Sequence, residues 1–301
     1  MIDQLLLPFQ FPFMIKGMII TIILAIPLAI LSCFLILKGW ALLGDAISHA
    51  VFPGVIIGYM ATPWVMIFLA SLPFSWCQHV RPANVTMTLI ACGAFMAGMI
   101  CAIITGFLGR NSRIKQDTVM GIVFSSMFGL GLVLATTIYS SLDLRHILFG
   151  NLLGINWLDI TQTAVIATVV TLILGAKWRD FTLYIFDPIQ GRAIGLQISV
   201  LHYTLLTMIS LTIVAALKAV GIILVVSLLI APGAISYLIT KRFSSMLLVA
   251  MFVAVFSSFW GIYLSLFIGS DSASTVVLLL TLIFLAVFAS TFCRRNSARE
   301  I

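Results

Sequence analysis

The sequence predicts an all-α polytopic membrane protein with about nine transmembrane helices, eight being the alternative count. Three observations carry that expectation. The chain has 301 residues, 62% of them hydrophobic and only 8% charged, with a mean hydropathy of +1.23; a soluble domain of this length cannot hide so much apolar surface. Runs such as MIITIILAIPLAILSCFLIL (18–37) and VTMTLIACGAFMAGMICAIITGFLG (85–109) are free of charge over the stretch of about 20 residues that a helix needs to cross a bilayer. These runs are continuous. A membrane β-barrel would show segments of roughly ten residues with alternating polarity, and the water-free bilayer core admits only helices or closed barrels.

The spans follow in order. Residues 13–37 form the first, ending before Lys38. Residues 41–62 form the second and carry Asp45 and His49. The third, 86–109, stops at Arg110. The fourth, 117–138, opens on Asp117, whose charge offsets the helix dipole at an N-terminus. The fifth, 157–176, stops at Lys177. Spans 198–217 and 219–240 are divided by Lys218, an interfacial lysine. The last two are 245–268 and 274–292.

Two pieces fit less simply. Residues 63–84, PWVMIFLASLPFSWCQHVRPAN, are half apolar with Pro63, Pro73 and Pro82, and read as a re-entrant or interfacial outer loop; the alternative is a short extra span, which would flip everything before it. Residues 144–155, LRHILFGNLLGI, are too short to cross and read as a partial helix near the outer face. The most polar segment is 177–197.

Charge distribution orients the chain. With a cytoplasmic C-terminus, twelve basic residues face inward: Lys38, Arg110, Arg113, Lys115, Lys177, Arg179, Arg192, Lys241, Arg242, Arg294, Arg295 and Arg299. Four face outward: Lys16, Arg81, Arg145 and Lys218. That asymmetry follows the positive-inside rule. It also accounts for the net charge of +7 as topology, with no nucleic-acid partner. The cysteines include no CxxC pair, and those in apolar runs read as small packing residues. No basic region precedes a short apolar stretch and cleavage site, so no removed signal peptide is expected. There is no GxxxxGK[ST] phosphate loop, so nucleotide hydrolysis by that route is not expected. No internal repeat of the kind that builds many secondary transporters is visible.

GDAISHAVFPG (44–54) carries the chemistry. Asp45 and His49 are four residues apart, so on a helix they share a face, about 6 Å apart along the axis. Ser48 lies beside that face. Carboxylates within the membrane are costly and normally face a bundle interior or a wet path. The plainer alternative is an Asp–His pair that satisfies itself in the packing. A carboxylate oxygen with an imidazole nitrogen suits zinc, manganese or ferrous iron better than sodium or potassium. Two donors are too few for a tight site; a two-fold dimer would supply four. A transport site must also release its ion, which a sparse set allows. GVIIG (54–58) is a GxxxG pattern that permits close helix approach, and Pro53 can loosen the backbone one turn after His49. Asp143, Arg145 and His146 read as a solvated outer loop, with an electrostatic landing point for a metal-delivering partner as the alternative. His79 and His202 read as ordinary.

The motif GDAISHAVFPG resembles the permease subunits of bacterial ABC importers for manganese, iron and zinc. So do GIVFSSMFGLGLVL (121–134), HILFGNLLGI (146–155), FDPIQGRAIGL (186–196), VGIILVVSLLIAPGAISYLIT (220–240) and DSASTVVLLLTLIF (271–284), in the family's order along nearly the whole chain. The resemblance implies a single permease domain over 1–301, of the type II ABC importer kind, in the bacterial inner membrane. It implies that Asp45 and His49 handle transported Mn2+, Fe2+ or Zn2+, with no permanently bound cofactor. It implies three protein partners: a cytoplasmic ATP-binding subunit that hydrolyses the nucleotide, an extracytoplasmic metal-binding protein, and a second permease copy or paralogue. It also implies that 177–197 is a cytoplasmic coupling segment, with Phe186, Asp187, Pro188, Gly191, Arg192 and Gly195 meeting the ATPase. Asp187–Pro188 independently reads as a helix start. Residues 63–84 look longer than the family's usual connection. The alternatives are a secondary metal transporter working alone and an intramembrane metalloenzyme; two ligands without an HExxH motif argue against the latter.

Overall fold

A computed structural model describes residues 10–40, 42–71, 82–137 and 157–297. Eleven helices lie among them: α1 (Pro12–Lys38), α2 (Leu43–Ser71), α3 (Pro82–Asn111), α4 (Gln116–Thr137), α5 (Trp157–Ala176), α6 (Trp178–Phe186), α7 (Pro188–Ala193), α8 (Ile198–Val220), α9 (Ile222–Ile239), α10 (Phe243–Ile268) and α11 (Ser272–Ser297). Nine of these, all but α6 and α7, are long and apolar enough to cross a bilayer. They coincide with the nine predicted spans. Two boundaries differ. Lys218 does not divide two spans but lies in the last turn of α8, and the break falls at Gly221. The helix carrying Asp45 and His49 does not stop before Pro63; it runs through that proline to Ser71. Proline removes one ladder hydrogen bond, but in lipid leaving the helix exposes many more backbone groups, so continuation wins. Pro82 begins the next helix. Residues 63–71 and 82–84 are therefore helical and not loop. The partial helix expected over 144–155 lies outside the described residues, as do His79, Asp143, Arg145 and His146.

The helices fall into two compact units. One contains α1, α5–α7, both ends of α8, and α9–α11. Its centre is α1, where every residue from Pro27 to Leu35 is buried. A helix apolar on all sides belongs in such a position, and α5, α9 and α10 pack around it. Ser32 ties α1 to α9: its hydroxyl donates to the Ile230 carbonyl at 3.1 Å and accepts from the Gly233 amide at 2.9 Å. These groups flank Pro232, whose missing N–H interrupts the α9 ladder. Cys33 is buried one residue on, in the packing role expected of it. α1 ends at Gly39, left-handed at φ 74°. The Trp40 amide bonds back to Leu35 at 2.8 Å, closing a Schellman motif. Lys16 lies 5.4 Å over the Trp157 ring, and Lys218 pairs with Asp159. Lys38, assigned to the opposite side, lies 4.3 Å over Tyr184 in α6. Lys16 and Lys218 thus both meet the start of α5, and Lys38 meets α6.

The other unit contains α2–α4 and the middle of α8, Leu206–Val214. Glycines set its spacing. A Cβ on Gly54 would stand 2.1 Å from the Gly93 carbonyl oxygen, and one on Gly58 would stand 2.4 Å from the Leu89 carbonyl oxygen. The GxxxG pattern therefore joins α2 to α3 within the chain. Gly131 does the same for α4, making room for Phe52 and Pro53.

Candidate metal-transfer site and coupling segment

The first turns of α2 hold Asp45 and His49 on one face. His49 Nε2 lies 3.5 Å from Asp45 Oδ1, and the side chains are 30% and 42% exposed respectively. The two side chains are thus in contact and both partly exposed. The neighbouring residues explain the orientation: Ala46, Ile47, Ser48 and Ala50 are all buried, which turns the two polar side chains to the open face. Ser48 takes no part, since its buried hydroxyl donates to the Gly44 carbonyl at 2.8 Å. Pro53 carries no N–H, so the His49 carbonyl loses its usual partner four residues on.

One side of the imidazole is walled by α4. Phe124 lies 5.1 Å from the His49 ring and Phe128 5.6 Å, the latter edge-on. Phe52 extends the wall at 5.8 Å from Phe128. Rings at these distances attract beyond simple burial and restrict how His49 can turn. Among the described residues no group of three or more His, Cys, Asp or Glu converges as a metal site. The pair thus places one carboxylate oxygen and one ring nitrogen side by side at a partly exposed position. Asp117, as expected, is in the first turn of α4.

The segment 177–197 folds as two short helices joined at Asp187. Asp187 ends α6 and caps α7, its Oδ1 accepting from the Ile189 and Gln190 amides at 3.1 and 2.9 Å. Pro188 follows at the first helical position, where its fixed φ suits the helix and its missing N–H costs nothing. Gly191 is buried against Ile198. Gly195 at φ 88° makes the reversal into α8, with the Leu196 amide returning to Gly191 at 3.0 Å. Inside, α6 buries Phe181 and Tyr184. Outside, Phe186, Ile189 and Ile194 are 62%, 81% and 64% exposed, and Arg192 is exposed beside them. This is a compact knob with apolar tips on the most polar stretch of the chain.

The ABC 3 transport family profile matches residues 10–291. The chain belongs to the ABC 3 transport family. It is 44% identical to the chelated iron transport system membrane protein YfeD of Yersinia pestis, over 92% of this chain and 85% of that one. It is 40% identical to the manganese transport system membrane protein MntB of Synechocystis sp. strain PCC 6803, over 92% and 82%. Among solved structures it resembles PsaBC from Streptococcus pneumoniae in complex with Fab, with a TM-score of 0.76, 31% identity, and coverage of 96% of this chain and 95% of that one. The chain is thus a multi-pass membrane permease of the ABC type.

Within this ABC 3 permease, Asp45 and His49 stand together as their spacing indicated. The six coupling candidates share one segment. Two features escaped the sequence reading. The aromatic wall at His49 was signalled only by Phe124 and Phe128 at i and i+4 in GIVFSSMFG. His202 proved to be buried, with Nδ1 2.8 Å from the Tyr184 hydroxyl; no local pattern links residues 18 apart.

Proposed function

We propose that this chain is the membrane-spanning subunit of an ATP-driven importer that moves a divalent transition metal, manganese, iron or zinc, into the bacterial cytoplasm. The observation that carries the reading is the accessible oxygen–nitrogen pair of Asp45 and His49, set in the start of a membrane-crossing helix of an ABC 3 permease. Manganese, ferrous iron and zinc all accept that donor set. Two donors hold an ion loosely, and the copy or paralogue that pairs with this chain contributes the rest of the coordination shell. The His49 imidazole, kept in place by Phe124 and Phe128, presents Nε2; Asp45 supplies the charge that offsets the ion's dehydration. An extracytoplasmic metal-binding protein delivers the ion, and selection between metals rests on geometry and on that delivery.

The ATP-hydrolysing subunit is separate and cytoplasmic. The segment 177–197, within a single permease domain over 1–301, presents Phe186, Asp187, Pro188, Gly191, Arg192 and Gly195 to it, with Ile189 and Ile194 as apolar tips. The protein lies in the inner membrane with its C-terminus inside, the orientation that its basic residues favour. The test is uptake of radioactive manganese, iron and zinc in cells whose own copy is deleted. Asp45→Ala and His49→Ala are expected to abolish uptake at unchanged membrane abundance. Wild-type uptake of all three metals by both variants would remove the pair from the mechanism.

A further inference from the structure

The coupling segment is held from inside by something more specific than apolar packing. Tyr184 on α6 is 3% exposed, and its hydroxyl meets His202 Nδ1 of α8 at 2.8 Å. The His202 ring, also 3% exposed, stands edge-on to Trp40 at 5.4 Å. Lys38 Nζ lies 4.3 Å over the Tyr184 ring and 5.9 Å over Trp40. Four side chains thus bind three elements: the end of α1, the coupling helix α6 and the start of α8. Below them Phe34 and Phe181 add a ring contact at 5.8 Å. Apolar contacts let helices slide and repack. A buried hydrogen bond is directional and costly to leave unmade, so it makes the joined elements move together. Trp40 also stands five residues before Asp45 in the chain.

We infer that Lys38, Trp40, Tyr184 and His202 form a latch of positioning residues that ties the coupling segment to the end of α1 and the start of α8, so that displacement of the coupling segment moves all three together. The inference rests on reading 177–197 as the ATPase-coupling segment. The latch does not touch the ATPase, whose docking face is the exposed knob on the other side of α6 and α7. Breaking it therefore uncouples hydrolysis from transport without releasing the ATPase.

The experiment uses the tagged full chain, purified from its native membranes with the ATPase it retains, and reconstituted into liposomes with the metal-binding protein of the same system on the outward face. Three quantities are read: ATPase retained per permease, ATP hydrolysed, and manganese transported per ATP. Tyr184→Phe keeps the ring and deletes one hydroxyl. His202→Phe removes both ring nitrogens, and His202→Gln keeps a group able to bond Tyr184. Tyr184→Phe and His202→Phe are expected to retain the ATPase and hydrolyse within about twofold of wild type, while manganese transported per ATP falls at least about fivefold. His202→Gln is expected to recover most of that loss. An unchanged transport-to-ATP ratio in Tyr184→Phe overturns the latch and leaves the coupling segment untouched. Loss of bound ATPase in step with transport also overturns it, since the residues would then merely support the docking face. If the wild-type chain retains no ATPase, the reading of 177–197 falls and the latch falls with it.

Discussion

The α2–α3 seam offers a test in which the same substitution has opposite sign at two sites. Gly→Ala within a helix ordinarily stabilises by roughly 0.5–1 kcal/mol, because alanine loses less backbone entropy on ordering. At Gly121 a Cβ meets nothing within 4 Å, so Gly121→Ala should realise that gain. At Gly54 the same methyl would sit 2.1 Å from the Gly93 carbonyl oxygen and 2.6 Å from the Ala97 Cβ. Ordinary contact begins at 3.4 Å, so the helices must part by about 1 Å along a seam whose other contacts are equally tight. Overpacking of this kind costs about 1–3 kcal/mol, and the obstacle here is backbone, which cannot rotate aside. The expected net loss for Gly54→Ala is about 1–2 kcal/mol, a factor of roughly ten in the ratio of folded to unfolded protein. Thermal unfolding in detergent, followed by reactivity of the buried Cys101 thiol, reads the difference directly: Gly54→Ala should melt below wild type and Gly121→Ala at or above it. Equal melting of the two variants would refute the claim that close backbone approach, and not generic packing, holds α3 against the helix bearing His49.

Ser32→Ala should destabilise the protein by about 1–3 kcal/mol, because the buried Gly233 amide beside Pro232 loses its acceptor; Ser32→Thr, which keeps the hydroxyl, separates this from packing in the same melting assay. Phe124→Ala and Phe128→Ala should weaken transport without ending it. A ring contact worth about 0.5–1.5 kcal/mol corresponds to a rise of roughly two- to tenfold in the manganese concentration giving half-maximal uptake, and an unchanged value would deny the wall any part in holding His49. Asp159→Asn should shift stability by less than about 1 kcal/mol, since its pair with Lys218 is partly exposed and such pairs contribute little; unfolding measured at low and high salt checks this.

Much of this molecule was legible in its residue order. Nine crossings follow from the length and continuity of apolar runs, because a helix must satisfy its own backbone in lipid and its span is set by the bilayer. The pairing of Asp45 with His49 follows from helical periodicity alone, and the turn at Asp187–Pro188 from capping chemistry. These are short-range facts, governed by residues within a turn or two of one another. Pro63 shows the limit even there: a residue that ends helices in water is carried through a helix where water is absent. What only tertiary structure decided is which faces meet. GVIIG permits close approach, but its partner is Gly93, inside the same chain. Phe124 gives no local sign that it lies against an imidazole, and neither Tyr184 nor His202 announces the other. Such choices depend on how whole helices pack, where the side chains that touch are tens of residues apart and no sequence period records the match.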